Sequence, residues 1–203
     1  MPARAEAIVI GGSAGALDAL QTILPSLPRG FALPIVVVLH MLPGRPSGLA
    51  SVLGGNSALS VKEAEDKEAM SAGTVYLASP GYHLLVEKDR HFALSVDEPV
   101  HFSRPSIDVL FESAADAFGK ELVGVLLSGA NEDGARGLFD IRQAGGVTIV
   151  QAPQTAAAPP MPEAALRLGA AAHVLGLVAI GELLRALAGG HFPPGSAVEK
   201  VSG

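Results

Sequence analysis

The sequence predicts an α/β protein built on a doubly wound, mainly parallel, Rossmann-like sheet with an antiparallel hairpin near one edge. Two observations carry that prediction. Short apolar, β-branched runs recur along the chain, each stopped by a cluster of Gly, Ser or Pro and followed by a stretch with helical spacing of its apolar residues. The runs are apolar at nearly every position, as strands covered by helices on both faces must be, instead of alternating with polar residues. A chain of 203 residues that is 49 % hydrophobic can bury one substantial core, so a single domain over 1–203 is expected, with its core at about 7–187 and a flexible tail at 189–203.

The elements follow in order. Ala7-Ile8-Val9-Ile10 is a buried strand; Gly11-Gly12-Ser13-Ala14-Gly15 is a tight turn; Leu17, Leu20, Ile23 and Leu24 mark one face of a helix. Ile35-Val36-Val37-Val38-Leu39 is a second buried strand, ended by His40-Met41-Leu42-Pro43-Gly44. Val75-Tyr76-Leu77-Ala78 is a strand, and the runs 83–86 and 91–96 alternate around Lys88-Asp89 as a hairpin. Ser106 suits the N-cap of a helix through about Phe118, and Val123–Leu127 is a buried strand leading into Ser128-Gly129-Ala130-Asn131-Glu132-Asp133-Gly134. A helix over 135–144, a strand at 147–150, a Pro-rich loop from Gln151 to Pro160, a helix after Pro162 and another near 180–187 complete the alternation.

Composition excludes several functions. The formal net charge is -6 without a basic stripe, which argues against nucleic acid as a partner. The chain has no cysteine, so disulfides, thiolate metal sites and a cysteine nucleophile are all excluded. No apolar run is long enough to span a bilayer and no secretory h-region opens the chain, so a cytoplasmic protein without membrane insertion is expected.

In parallel sheets of this kind ligands bind beyond the carboxyl ends of the strands. Ser13, His40 and Asp133 all fall there. Gly11–Gly15 has the G-x-S-x-G spacing, whose small residues let a strand turn sharply into a helix and leave the serine hydroxyl exposed. On those five residues alone, a phosphate-binding turn or a plain N-cap serine is the commoner outcome. His40 is of the type that accepts a serine proton and returns it to a leaving group, and Asp133 of the type that orients such an imidazole. Taken singly, a histidine at a strand end and an aspartate in a turn are more often structural. His83, His91, His101, His173 and His191 read mostly as surface or loop residues; none makes an H-x-x-x-H spacing, so neither a metal nor another cofactor is expected.

Five ordered stretches carry a resemblance to a known family: I-G-G-S-A-G-A-L-D-A-L at 10–20, V-V-V-L-H-M-L-P at 36–43, V-K-E-A-E-D at 61–66, S-R-P-S-I-D-V-L-F at 103–111 and V-G-V-L-L-S-G-A-N-E-D-G-A-R-G-L at 123–138. The chain resembles, over about 7–187, the catalytic domain of the chemotaxis protein-glutamate methylesterases, the CheB family. The resemblance implies hydrolysis of glutamate γ-methyl esters on methyl-accepting chemotaxis receptors, with glutamine deamidation in some members. It implies a catalytic triad of Ser13, His40 and Asp133, and an oxyanion hole of the backbone amides of Ala14 and Ala130. Arg104, Ser106 and Asp108 match the family's R-P-S-x-D stretch, where a helix-start role is equally in keeping.

The sequence departs from the family pattern in having Ala14 after the serine in place of threonine, and S-G-A-N-E-D-G in place of T-G-M-G-x-D-G. A backbone donor survives such side-chain changes. Well-known members also carry an N-terminal receiver domain, whereas six residues precede the first strand here. A stand-alone catalytic domain, or a piece of a longer protein, is therefore expected, with a separate receiver protein as regulator. Two other readings stay open: a Rossmann-like nucleotide-binding module using the Gly11–Gly15 turn, and a homologue acting on another carboxylic ester.

Overall fold

A computed structural model of the chain describes residues 4–40 and 48–190. The turn expected at 41–44 and the tail from 191 onward lie outside the described residues. Among those described, the strands are β1 (Ala7–Gly12), β2 (Ile35–Leu39), β3 (Ser60–Glu63), β4 (Thr74–Leu77), β5 (His83–Val86), β6 (Phe92–Ser95), β7 (Leu122–Leu126), β8 (Val147–Gln151) and β9 (His173–Leu175). The helices are α1 (Ala16–Ile23), α2 (Leu49–Gly54), α3 (Ile107–Phe118), α4 (Ala135–Gln143), α5 (Pro160–Arg167) and α6 (Leu177–Ala188).

Seven strands form one sheet in the order β3-β4-β2-β1-β7-β8-β9, every pairing parallel. Side chains alternate across it as strand geometry requires. Ile8 and Ile10 of β1 enter a core shared with α1, α2 and α6, whereas Ala7 and Val9 enter a second core with α3, α4 and α5. Both faces are covered, which explains the unbroken apolar runs. The chain leaves β1 toward β2 on one side and later returns as β7 on the other, so the order reverses at β1. That crevice is the expected ligand position of a doubly wound sheet.

The hairpin β5–β6 is a separate antiparallel ribbon. It is held by packing: Leu84, Val86 and Phe92 join Leu110 and Phe111 of α3 in the second core, and Ser113 Oγ accepts from Val86 N at 3.2 Å. Four elements differ from the sequence reading, the first being α2, a six-residue helix that it leaves unassigned. β3 and β9 are short edge strands that it leaves unassigned, and α5 begins at Pro160 instead of after Pro162. Proline at a first helical turn loses no intrahelical hydrogen bond, so 160 and 162 both fit there.

Candidate active site

The sheet order sets β2, β1 and β7 side by side, so the residues that follow these three strands meet at one edge. Ser13 follows β1 directly, His40 follows β2, and the 128–134 turn follows β7. Backbone hydrogen bonds stitch the three together: His40 N donates to Gly12 O at 3.1 Å, and Ser13 N donates to Ser128 O at 2.9 Å. Ser128, fully buried, ties the turns again, its Oγ donating to Ala14 O at 2.6 Å and accepting from Ala158 N at 2.8 Å. Gln151, at the end of β8, accepts the Ser128 amide at 2.9 Å through Oε1. The turns bearing the amides of Ala14 and Ala130 are thereby clamped against each other.

Gly15 is what lets β1 pass into α1 with Ser13 at the bend. Its φ is +81°, and a Cβ there would stand 2.6 Å from Ala157 Cβ and 3.0 Å from Ser128 Oγ. Only glycine accepts both conditions.

His40 and Asp133, 93 residues apart, form a direct pair, with Nε2 2.7 Å from Oδ2. Asp133 is completely buried, and its carboxylate accepts four hydrogen bonds. Oδ2 takes His40 Nε2 at 2.7 Å and Ile107 N at 2.7 Å; Oδ1 takes Ser106 Oγ at 2.8 Å and Asp108 N at 3.0 Å. The two amides are the first of α3, so the carboxylate sits on the positive end of a twelve-residue helix. Burial works against its charge, but the bond from His40, the two amides and the Ser106 hydroxyl more than offset that, and Asp133 is held below the usual carboxylate range.

The arrangement is reciprocal. Asp108, in the first turn of α3, accepts Gly134 N at 2.9 Å and Gly137 N at 2.7 Å through Oδ1, which caps α4. Asp133, in the turn before α4, caps α3, and Asp108 of α3 caps α4. Desolvation, with the nearby charge of Asp133 acting in the same sense against the amide bond from Gly137, pushes the Asp108 carboxyl up to about 6. Two carboxylates this close divide their roles: Asp133 stays ionised and Asp108 holds its proton more readily.

With Nε2–H donating to the carboxylate, Nδ1 of His40 is the acceptor left on the ring. Ser103 Oγ lies 3.5 Å from it. Ser13 is half-buried, and among the described residues its Oγ makes no hydrogen bond; in unliganded esterases the contact between nucleophile and base is often long and tightens with substrate.

Other predicted residues resolve differently. Ser106 does stand at the N-cap of α3, but without a side-chain capping bond; its hydroxyl goes to Asp133 instead. Arg104 Nη1 donates to Val96 O at 2.9 Å and Asp97 O at 3.0 Å, closing the 96–104 loop. His83 is not a surface residue: it is buried, Nδ1 accepting Ser106 N at 3.2 Å and Nε2 donating to Glu98 O at 3.1 Å. An amide has only a donor to offer, so that bond sets the tautomer. His101, Asp108 and Asp133 each bring one potential metal-ligand atom within 4.8 Å of the others, but both oxygens of Asp133 already face N–H or O–H donors. Beside His101 lies a cleft of about 250 Å³ lined also by Asp108, Glu132, Arg136, Arg167 and Leu168.

A family model described as CheB methylesterase matches residues 8–184. The chain belongs to the CheB methylesterase family. A Leptospira interrogans protein provisionally named protein-glutamate methylesterase/protein-glutamine glutaminase is 48 % identical over 178 residues, 88 % of this chain and 92 % of that one. Protein-glutamate methylesterase FrzG of Myxococcus xanthus is 41 % identical over 177 residues, which are 87 % of this chain and 53 % of FrzG. The crystal structure of the Thermotoga maritima CheB methylesterase catalytic domain superposes with a TM-score of 0.87 at 35 % identity, covering 90 % of this chain and 98 % of that one. Members of the CheB methylesterase family thus occur both near this length and well over half as long again. Among the described residues no helix is long and apolar enough to cross a membrane.

Proposed function

We propose that the protein hydrolyses glutamate γ-methyl esters on methyl-accepting chemotaxis receptors, giving glutamate and methanol, and that Ser13, His40 and Asp133 carry the reaction. The observation that bears most weight is the 2.7 Å His40–Asp133 pair at the strand edge where the Ser13 turn lies. A buried carboxylate kept ionised beside an imidazole holds the ring with its proton on Nε2 and stabilises the cation formed when Nδ1 takes a second proton.

In that reaction Nδ1 accepts the Ser13 Oγ proton as Oγ adds to the ester carbonyl. The negative charge passes to the carbonyl oxygen, where the Ala14 and Ala130 amides donate to it. Collapse of this intermediate breaks the bond to methoxide, which takes the proton from His40 and leaves as methanol. Water then adds to the acyl-enzyme as His40 removes one of its protons; collapse returns that proton to Ser13 Oγ and releases the glutamic acid side chain, which ionises by losing the remaining proton to solvent. A glutamine side chain passes through the same steps with ammonia as leaving group, the second activity in the names of several relatives. The clamped turns support the assignment of Ala14 and Ala130, because a preorganised oxyanion site must not rearrange as charge develops.

The test is methanol release from methylated receptor membranes. Ser13→Ala is expected to abolish it while the thermal unfolding midpoint stays within about 2 °C of the parent, since a half-exposed hydroxyl with no bond among the described residues contributes little to stability. Undiminished release by that variant would remove Ser13 from the mechanism.

A further inference from the structure

The segment joining β6 to α3 closes beside the site as a two-residue hairpin. Val100 and Ser103 exchange both backbone hydrogen bonds, at 3.1 and 2.8 Å, leaving His101 and Phe102 as turn residues with φ of +48° and +60°. Two successive left-handed residues are the pattern of the type I′ turn, which Asn-Gly adopts readily and two ring-bearing side chains adopt at a cost. Such strain persists only where the surroundings over-determine it, and it concentrates at functional sites.

Here the surroundings are the site itself. On one shoulder Ser103 Oγ lies 3.5 Å from His40 Nδ1; on the other His101 Nε2 lies 3.4 Å from Asp108 Oδ2 and lines the cleft. Between these anchors the Phe102 ring is fully exposed, at 104 %. It contributes no packing to the fold, so the strained turn is not explained by stability. Two more exposed apolar residues lie on the same lip: Tyr82 follows Gly81, whose amide donates to Arg104 O, and Val96 offers its carbonyl to the Arg104 guanidinium.

We infer that Phe102 is a specificity-determining residue for protein substrates, packing its ring on apolar side chains beside the esterified glutamate of the receptor. The inference rests on the activity proposed above. An ester carried on a folded surface brings flanking residues with it, and the lip stands beside His40 through Ser103 and beside the cleft through His101, where such residues would meet it. A small soluble ester brings no such surface and does not use Phe102. Buried aromatic anchors of this kind dominate the affinity of many protein contacts.

The experiment compares the parent, Phe102→Ala and Phe102→Tyr on methylated receptor membranes and on p-nitrophenyl acetate. Phe102→Ala is expected to lower the ratio of the two kcat/KM values at least about tenfold, through KM for the receptor, and Phe102→Tyr to restore most of it. An unchanged ratio, or a parallel fall on both substrates, overturns the inference. A second measurement is independent of turnover: in a Ser13→Ala background, co-sedimentation with receptor membranes should weaken when Phe102→Ala is added. Equal co-sedimentation overturns the inference, whereas weakened co-sedimentation together with a parent protein, Ser13 intact, that hydrolyses neither substrate upholds the contact and overturns only the proposed activity.

Discussion

Replacing Asp133 by asparagine separates a residue that caps a helix from one that also serves a catalytic histidine, and the geometry gives a magnitude for each role. The carboxylate accepts His40 and Ile107 N on one oxygen, Ser106 Oγ and Asp108 N on the other. Asparagine keeps one acceptor oxygen and turns the other position into an N–H donor. With the amide nitrogen toward Ile107 it opposes a backbone N–H and His40 Nε2; with the nitrogen toward Asp108 it opposes another backbone N–H and the hydroxyl of Ser106, which can rotate. Either way one buried amide of α3 loses its acceptor, costing about 1–3 kcal/mol, and the helix loses a charge at its positive end, about 1 kcal/mol more. The unfolding midpoint should therefore fall by roughly 5–15 °C in a domain of this size.

The catalytic cost differs in kind. A nitrogen facing Nε2 moves the imidazole proton to Nδ1 and leaves no acceptor for Ser13; the corresponding change in a serine protease costs about 10⁴ in turnover. The other orientation keeps the tautomer but not the charge that stabilises the imidazolium. At least about a hundredfold loss of kcat is expected from a mixture of the two. The assay is hydrolysis of a small ester well below the lowered midpoint, with circular dichroism on the same sample to show it folded. A variant that melts early yet turns over within a few-fold of the parent would refute the triad role and leave Asp133 as a cap alone.

Asp108 should behave in the opposite sense from Asp133 on titration. Its folded value near 6 lies above the ordinary value of 3.8, so its contribution to stability is fully present below about pH 4 and is lost as pH rises through 6. Asp108→Asn keeps an oxygen for Gly134 N and Gly137 N without the charge, and should stabilise the protein at pH 7.5 by roughly 2 kcal/mol while flattening the stability profile between pH 4 and 6; denaturant titrations across that range check it, and a destabilised variant at pH 7.5 contradicts it. Asp133, held below the usual range, contributes stability that is present above about pH 4 and is lost as pH falls through its folded value. Gly15→Ala must place a Cβ 2.6 Å from Ala157 Cβ at φ +81°. It should cost about 1–3 kcal/mol and lower ester turnover through the displaced Ser13–Ala14 turn, as read by thermal melts and initial rates; an unchanged melt would show the turn to be looser than described.

Much of this was legible from residue pattern because buried parallel strands announce themselves. β1, β2, β7 and β8 are apolar on both faces, and each gives a clear run. β3 and β9 are edge strands: Ser60-Val61-Lys62-Glu63 is half exposed and His173–Leu175 is three residues long, so neither leaves a periodicity to find. That Ser13, His40 and Asp133 follow strands was legible by position; the role proposed for them came from family resemblance. Their partners were not legible. Ser106 matched an N-cap pattern and proved to be a donor to Asp133; His83 looked like a hairpin residue and proved to be a buried acceptor; Gln151 read as the start of a Pro-rich loop and proved to end β8 and hold the Ser128 amide. Each of these bonds joins segments more than twenty residues apart, and local spacing carries no record of such pairings. The type I′ hairpin at His101-Phe102 lacks the Asn-Gly signature by which such turns are found, which is why only the backbone geometry reveals it.

The reciprocal capping bears on how the aspartate proposed for the triad comes to look ordinary in sequence. Asp133 stands in N-E-D-G directly before α4, where a capping role is the natural reading, and it does cap a helix, but the helix is α3. Asp108 stands in the first turn of α3 and caps α4. The two cross-helix caps tie the α4 entry turn to the start of α3, and in that arrangement Asp133 lies 2.7 Å from the histidine at the end of β2. The structural and catalytic readings of Asp133 are therefore one arrangement: the amides that satisfy the buried carboxylate also keep it ionised, and a carboxylate already ionised needs no reorganisation when His40 becomes charged.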